Sequence, residues 1–248
     1  MEVISAAVYE NEAAIYISLQ DMTDQNRIDE TTDLFDSYHI NRSFDSSASC
    51  RRASFDEETG IATFLITISQ WSGQKVGGNK ITFYFTQFLS NKSIFEGDLT
   101  ELRLDTVTEA KETQKPESFR SGDGKNLDYK GLEYLVPVPG GILSPADGVT
   151  ITNIGFIENK LHVQLYFEEI LLYDNHGYIA MYDQDGNRAK SDHFSFWDDK
   201  KSGCYEEFIY DISPEDIQKY KAFGHFVTCK NLTEGYWQVT FPLENIEY

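Results

Sequence analysis

Basic residues are scarce in this 248-residue chain: 21 Lys+Arg stand against 41 Asp+Glu, a formal charge of −20. A surface so acidic repels phosphate backbones and anionic lipid, which argues strongly against non-specific nucleic-acid binding. Cysteine is also scarce. Cys50, Cys204 and Cys229 form an odd set without CxxC spacing, so neither a disulfide framework nor a zinc site is signalled. At most one pair can bridge, and whether Cys204 joins Cys229 is left open. Long apolar runs are missing too. The longest uncharged stretches, Gly60–Gln74 and Tyr134–Ala146, are broken by Ser, Thr and Gln or by three prolines, short of the ~20 apolar residues of a spanning helix. No leader peptide is visible, because a strand-like pattern begins at Glu2.

What is present is period-two alternation. Leu161, Val163, Leu165 and Phe167 alternate with His162, Gln164 and Tyr166; Trp237, Val239 and Phe241 alternate with Tyr236, Gln238 and Thr240. Ile15, Ile17 and Leu19 share one face, as do Ile81, Phe83 and Phe85. Polar turns such as Glu158-Asn159-Lys160 separate these runs. The expected fold is all-β: two tandem β-sandwich (Ig-like) domains with one or two short helices. One helix is expected from Ser213-Pro214-Glu215-Asp216 to about Ala222, with Ser as cap and Pro at the first helical position. A second short turn is expected within Arg27–Phe35.

Residues 106–131 read as a connector, polar and rich in Lys, Glu, Ser and Gly. Charge supports the cut: residues 1–105 hold 8 basic and 17 acidic groups, 106–130 hold 5 and 5, and 131–248 hold 8 and 19. The expected domains are 1–105 and 132–248. Each opens alike, since Val8-x-Glu10-Asn11-x-x-x-Ile15 overlays Phe156-x-Glu158-Asn159-x-x-x-Val163. That match fits either a tandem duplication or two ordinary hairpins.

Chemistry-bearing motifs are few. Asp183-x-Asp185-Gly186-Asn187 lacks the Gly and Glu spacing of an EF-hand loop and reads as a hairpin turn. The five histidines include no His-x-His or His-x-x-x-His pair, and no Gly-x-Ser-x-Gly elbow nominates a nucleophile. The expectation is a non-enzymatic protein with no cofactor and no metal. One cluster mixes aromatics with carboxylates in loop-like positions: Tyr173, Asp174 and His176, with Phe196, Trp197 and Asp198. These six are the candidate ligand-binding residues, in the manner of a sugar-binding surface. The alternative is that Trp197 belongs to a core and Asp174-Asn175-His176-Gly177 is a turn.

Several strings are more specific. Ile15-Tyr16-Ile17-Ser18-Leu19-Gln20-Asp21, Asp33-Leu34-Phe35-Asp36-Ser37-Tyr38, Ser195-Phe196-Trp197-Asp198, Asp211-Ile212-Ser213-Pro214-Glu215 and Gly235-Tyr236-Trp237-Gln238-Val239 resemble the extracellular region of a Gram-positive bacterial family. That family consists of single-span membrane proteins of unknown function, anti-sigma-factor-like and often encoded beside extracytoplasmic-function sigma factors. The resemblance implies an extracellular sensor or interaction module on the cell membrane, anchored by a helix upstream of Met1. Its partners would be a cell-envelope ligand or protein outside. A sigma factor would be reached only through a cytoplasmic segment upstream of these residues. A cell-surface carbohydrate-binding or adhesive module is the other reading. No catalytic residue carries over.

Overall fold

The structure is a computed structural model that describes residues 1–23, 25–71, 73, 75–115, 120–121 and 132–247. It is all-β, built from antiparallel sheets, and divides into two compact units. Unit 1 comprises Met1–Lys92 together with Cys229–Tyr248, and unit 2 is Ser93–Thr228.

Unit 1 begins with β1 (Glu2–Tyr9), β2 (Glu12–Gln20), β3 (Tyr38–Arg42), β4 (Ser46–Asp56), β5 (Ile61–Gln70) and β6 (Lys80–Ser90). The chain then builds unit 2 with β7 (Ser93–Asp98), β8 (Thr113–Gln114), β9 (Arg120–Ser121), β10 (Tyr134–Leu135), β11 (Leu143–Ala146), β12 (Val149–Ile157) and β13 (Lys160–Phe167). After the four-residue α1 (Ile170–Tyr173) come β14 (His176–Asp183), β15 (Ser191–Asp198), β16 (Cys204–Tyr210) and β17 (Tyr220–Thr228). It returns to unit 1 with β18 (Asn231–Pro242) and β19 (Ile246–Glu247).

In unit 1 a five-stranded sheet, β19-β1-β2-β5-β4, shares one core with a three-stranded sheet, β18-β6-β3. The alternation read from the sequence supplies that core. Ala13, Ile15, Ile17 and Leu19 of β2, Phe64, Ile66 and Ile68 of β5, and Ile81, Phe83 and Phe85 of β6 are all buried. Strand β18 pairs with β6 from Asn231↔Ser90 to Pro242↔Lys80. This return corrects the expected division into 1–105 and 132–248. The C-terminal strands complete the N-terminal unit, and the boundaries fall at 92/93 and 228/229. Which strands pair across the whole chain cannot be read from local composition.

The expected connector at 106–131 falls within unit 2. There Glu109 bridges to Phe156 and β8 pairs with β10, while 116–119 and 122–131 lie outside the described residues. Unit 2 packs a six-stranded sheet, β11-β12-β13-β16-β15-β9, against β14-β17-β7. Its core includes Val163, Leu165, Phe167, Met181 and Phe226.

The two similar openings both form two-residue hairpins, Tyr9↔Glu12 in unit 1 and Ile157↔Lys160 in unit 2. Glu10, Glu158 and Asn159 take positive φ to close them. The expected helix from Ser213 to Ala222 is instead a short turn. Asp216 and Ile217 donate their N–H groups to the Ser213 carbonyl, a 3-10 turn spans Ile217–Lys219, and β17 starts at Tyr220. Pairing with β14 and β7 on both sides overrides local helix preference. In the Arg27–Phe35 region the regular turn is a 3-10 segment at Phe35–Ser37. None of Cys50, Cys204 and Cys229 forms a disulfide.

Candidate functional site

Of the six candidate ligand residues, Tyr173 ends α1, Asp174 and His176 lie at the turn into β14, and Phe196, Trp197 and Asp198 end β15. Strand β15 alternates, so Phe196 and Asp198 project from one face and Trp197 from the other. Trp197 is only 8% exposed and packs against Tyr134 (5.2 Å between centroids) and Tyr205 (5.8 Å, stacked). Its indole is therefore a core group and not the open stacking platform a sugar-binding role for it requires.

The Asp174–Gly177 segment is a turn. Residues Glu169 and Asp174, both with positive φ, bracket α1, and the Tyr173 N–H donates to the Glu169 carbonyl. Asn175 is buried and donates to the Glu168 carbonyl at 2.9 Å. His176 Nδ1 lies 2.6 Å from the Asp174 carbonyl oxygen and 3.4 Å from its carboxylate. Gly177 lies so close to β17 that a Cβ there would sit 2.2 Å from the His225 carbonyl oxygen.

Two glutamates outside the six candidates are the chemically distinctive groups. Strand β16 places Glu206 and Glu207 on opposite faces of the sheet. Glu206 sits between Phe196 on β15 and Leu165 on β13, on the face that carries the shared core. It is half-buried. Burial pushes its carboxyl up to about 7, and the charge of His176 pulls the other way. The same patch holds the Cys204 thiol, which burial pushes up to about 12, with Glu206, Asp198 and Asp199 adding to the effect. So the structure brings His176, Phe196 and Asp198 near a shared carboxyl, Glu206, while Trp197 leaves the group.

A raised folded-state carboxyl makes a pH prediction. Glu206 binds its proton more tightly in the folded protein than in the unfolded chain. Its contribution is therefore complete below about 4.5 and is lost as pH rises to about 7. The loss is up to about 3 kcal/mol. Melting temperatures of the native chain and Glu206→Gln, measured from pH 4.5 to 8, are expected to diverge with rising pH in favour of the variant. Parallel curves would show that the carboxyl is solvated like an ordinary glutamate.

Glu207 faces the other way and is 0% exposed. Burial raises its carboxyl, and donors from His162, Gln164 and Leu135 draw it back down. His162 Nδ1 is 2.7 Å from Oε1, and Gln164 Nε2 donates to Oε2 at 2.9 Å. The Leu135 N–H donates to both oxygens at 3.2 Å. Gln164 also donates to the Leu135 carbonyl at 2.7 Å and accepts from the Thr152 hydroxyl at 2.7 Å. On the next strand the hydroxyls of Tyr134 and Ser195 lie 2.9 Å apart. The cluster is a polar staple: it grips both backbone groups of Leu135 and holds β10 on the sheet.

Nearby, Tyr166 donates to Asp199 at 2.9 Å, and Asp199 accepts from the backbones of Lys201 and Gly203. Asp183 closes the 183–187 hairpin in the same manner, accepting from Asp185 N–H and Asn187 N–H. Its carboxylate is used within the turn, as the hairpin reading expects. Among the described residues no group of three or more His, Cys, Asp or Glu is arranged to hold a metal ion. No helix among them is long and apolar enough to cross a membrane.

No family model matches the chain, and no curated protein matches it. One solved structure, described as the crystal structure of the conserved domain protein from Bacillus anthracis, is similar at 8% identity and a TM-score of 0.25. The alignment covers 98% of this chain and 86% of that one, and a score so low carries no argument about fold or function.

Proposed function

We propose that this chain is a non-enzymatic interaction module on the outer face of the cell membrane, the sensing part of an anti-sigma-factor-like regulator. The observation that supports a binding role over a catalytic one is the state of the His162–Glu207 pair. An acid–base catalyst needs a proton-accepting oxygen or nitrogen open to substrate. Glu207 is buried, and both its oxygens already accept from protein donors. The location and the regulatory role rest on the sequence resemblance. In that reading an envelope ligand engages the chain outside, and the signal passes to a sigma factor through a segment upstream of these residues.

The test is a thermal-shift screen of the purified chain against divalent cations, peptidoglycan fragments and soluble envelope polymers. A ligand at a hundred times its Kd stabilises the folded state by about 2.7 kcal/mol, a shift of several degrees. At least one such shift is expected. A flat screen contradicts ligand sensing, and turnover of an added ester, peptide or glycoside by the purified chain contradicts the non-enzymatic reading.

A further inference from the structure

The outward face of the β18-β6-β3 sheet in unit 1 carries a row of aromatic rings that the candidate site does not include. Strand β6 turns Phe83 and Phe85 into the core and Thr82 and Tyr84 outward. The register places His39 of β3 and Gln238 of β18 on either side of Tyr84, and Asn41 and Thr240 on either side of Thr82. His39 stacks on Tyr84 with centroids 4.6 Å apart, and Tyr236 follows at 5.7 Å.

A bulge in β18 makes this possible. Two residues, Gly235 and Tyr236, lie between the pairs Glu234↔Gln87 and Trp237↔Phe85, where β6 has one. Trp237 then stacks inward on Phe85 at 4.8 Å, while Tyr236 stands 64% exposed. Gly235 is required there, because a Cβ would lie 2.4 Å from the Trp237 ring.

Beyond Asn41 the row continues into a cleft of about 460 Å³ at the end of β3, bordered by Phe44 and by Trp71, which is 75% exposed. The Arg42 guanidinium at this cleft is held internally, donating to the Ile40 carbonyl and to Ser46. Asp45 supplies a carboxylate at the rim.

From these observations we infer that the His39–Tyr84–Tyr236 row, with the Trp71 cleft, is a binding surface for a neutral polysaccharide. Charge decides among occupants. In a chain of net charge −20, the two rungs His39-Tyr84-Gln238 and Asn41-Thr82-Thr240 carry no carboxylate, ammonium or guanidinium. Anionic polymers are repelled by the chain as a whole, and a cationic peptide finds no counter-charge on the rungs. A neutral sugar chain suits both halves of the surface: its C–H faces lie on the exposed Tyr236 and Trp71 rings, and its hydroxyls exchange hydrogen bonds with the amides and hydroxyls of the rungs. Tyr236 already donates to Gln238 at 2.6 Å, and the Thr82 and Thr240 hydroxyls pair at 2.8 Å. Side chains held in place before binding lose little entropy on contact.

The inference needs no assumption about where the chain resides in the cell, so it stands or falls apart from the extracellular reading. Affinity electrophoresis of the full chain through gels containing hydroxyethylcellulose, galactomannan or amylopectin tests it, with polygalacturonate as the anionic comparison. Retardation by at least one neutral polymer and not by polygalacturonate is expected. Tyr236→Ala and Trp71→Ala, both surface changes, are expected to weaken retention roughly tenfold each. Tyr9→Ala, at an exposed position at the end of β1, is expected to leave it unchanged. Absence of retardation in all three neutral gels overturns the proposal, as does retention that both variants leave intact. Sedimentation showing a dimer that Tyr236→Ala dissociates, with no retardation in any gel, overturns it in favour of self-association.

Discussion

Glu207→Ala is expected to lower the melting temperature of unit 2 by roughly 10 °C or more, the largest effect of any single polar substitution described here. The side chain is wholly buried and serves three donors at once: His162, Gln164 and the backbone of Leu135. Removing it strands all three away from water and opens a void beneath β10. Breaking a buried pair by deleting one partner costs about 3–5 kcal/mol. Glu207→Gln keeps the volume and one acceptor oxygen but presents an amide N–H to existing donors, so about 1–3 kcal/mol is expected. Calorimetry of the two variants checks both the size and the order. A shift under roughly 3 °C for the alanine variant would show that water enters and replaces the lost acceptor.

Gly177→Ala should be nearly as damaging, at about 3 kcal/mol, for a steric reason. Gly177 pairs with Phe226 across β14 and β17, and an added Cβ would lie 2.2 Å from the His225 carbonyl oxygen, 2.6 Å from Phe226 Cδ1 and 2.8 Å from Phe226 Cα. Two of the three atoms are backbone, so relief requires the strands to part. Gly97 on β7 supplies the control: no atom lies within 4 Å of a Cβ built there. Gly97→Ala is expected to change stability by no more than about 0.5 kcal/mol. Urea unfolding of the two variants with matched slopes separates them. Equal midpoints would mean that β14 and β17 yield without strain.

The difference between what alternation reveals and what it hides is clearest on β13. Leu161, Val163, Leu165 and Phe167 are legible as one buried face because side-chain period is a local property. Alternation says nothing of what covers His162 and Gln164 on the opposite face, and both are buried, with Gln164 donating to the Leu135 carbonyl. The element that covers them, β10, is two residues long and leaves no pattern of its own. Adjacent glutamates in Cys-Tyr-Glu-Glu-Phe-Ile-Tyr were the available signal, since two acids inside an otherwise apolar strand put one on each face. At Ser213 the local cap and proline signals pointed to a helix; only a short turn forms, because the strand after it depends on partners far along the chain. The aromatic row is longer-range still. His39, Tyr84 and Tyr236 meet only through the register of three strands and a bulge, and the joining of β18 to β6 also undid the expected domain boundary. Trp197 shows the reverse: an aromatic beside acidic residues in sequence looked available to a ligand and proved to be core.

The central functional claim, an interaction module outside the cell, is tested most directly by locating the native protein. Source cells are fractionated and probed with an antibody raised against this chain, before and after protease treatment of intact cells. The account predicts a membrane-bound band larger than 28.4 kDa whose reactive portion protease removes from outside. A protease-protected band in the soluble cytoplasmic fraction would contradict it and would leave the two β units as parts of an intracellular protein.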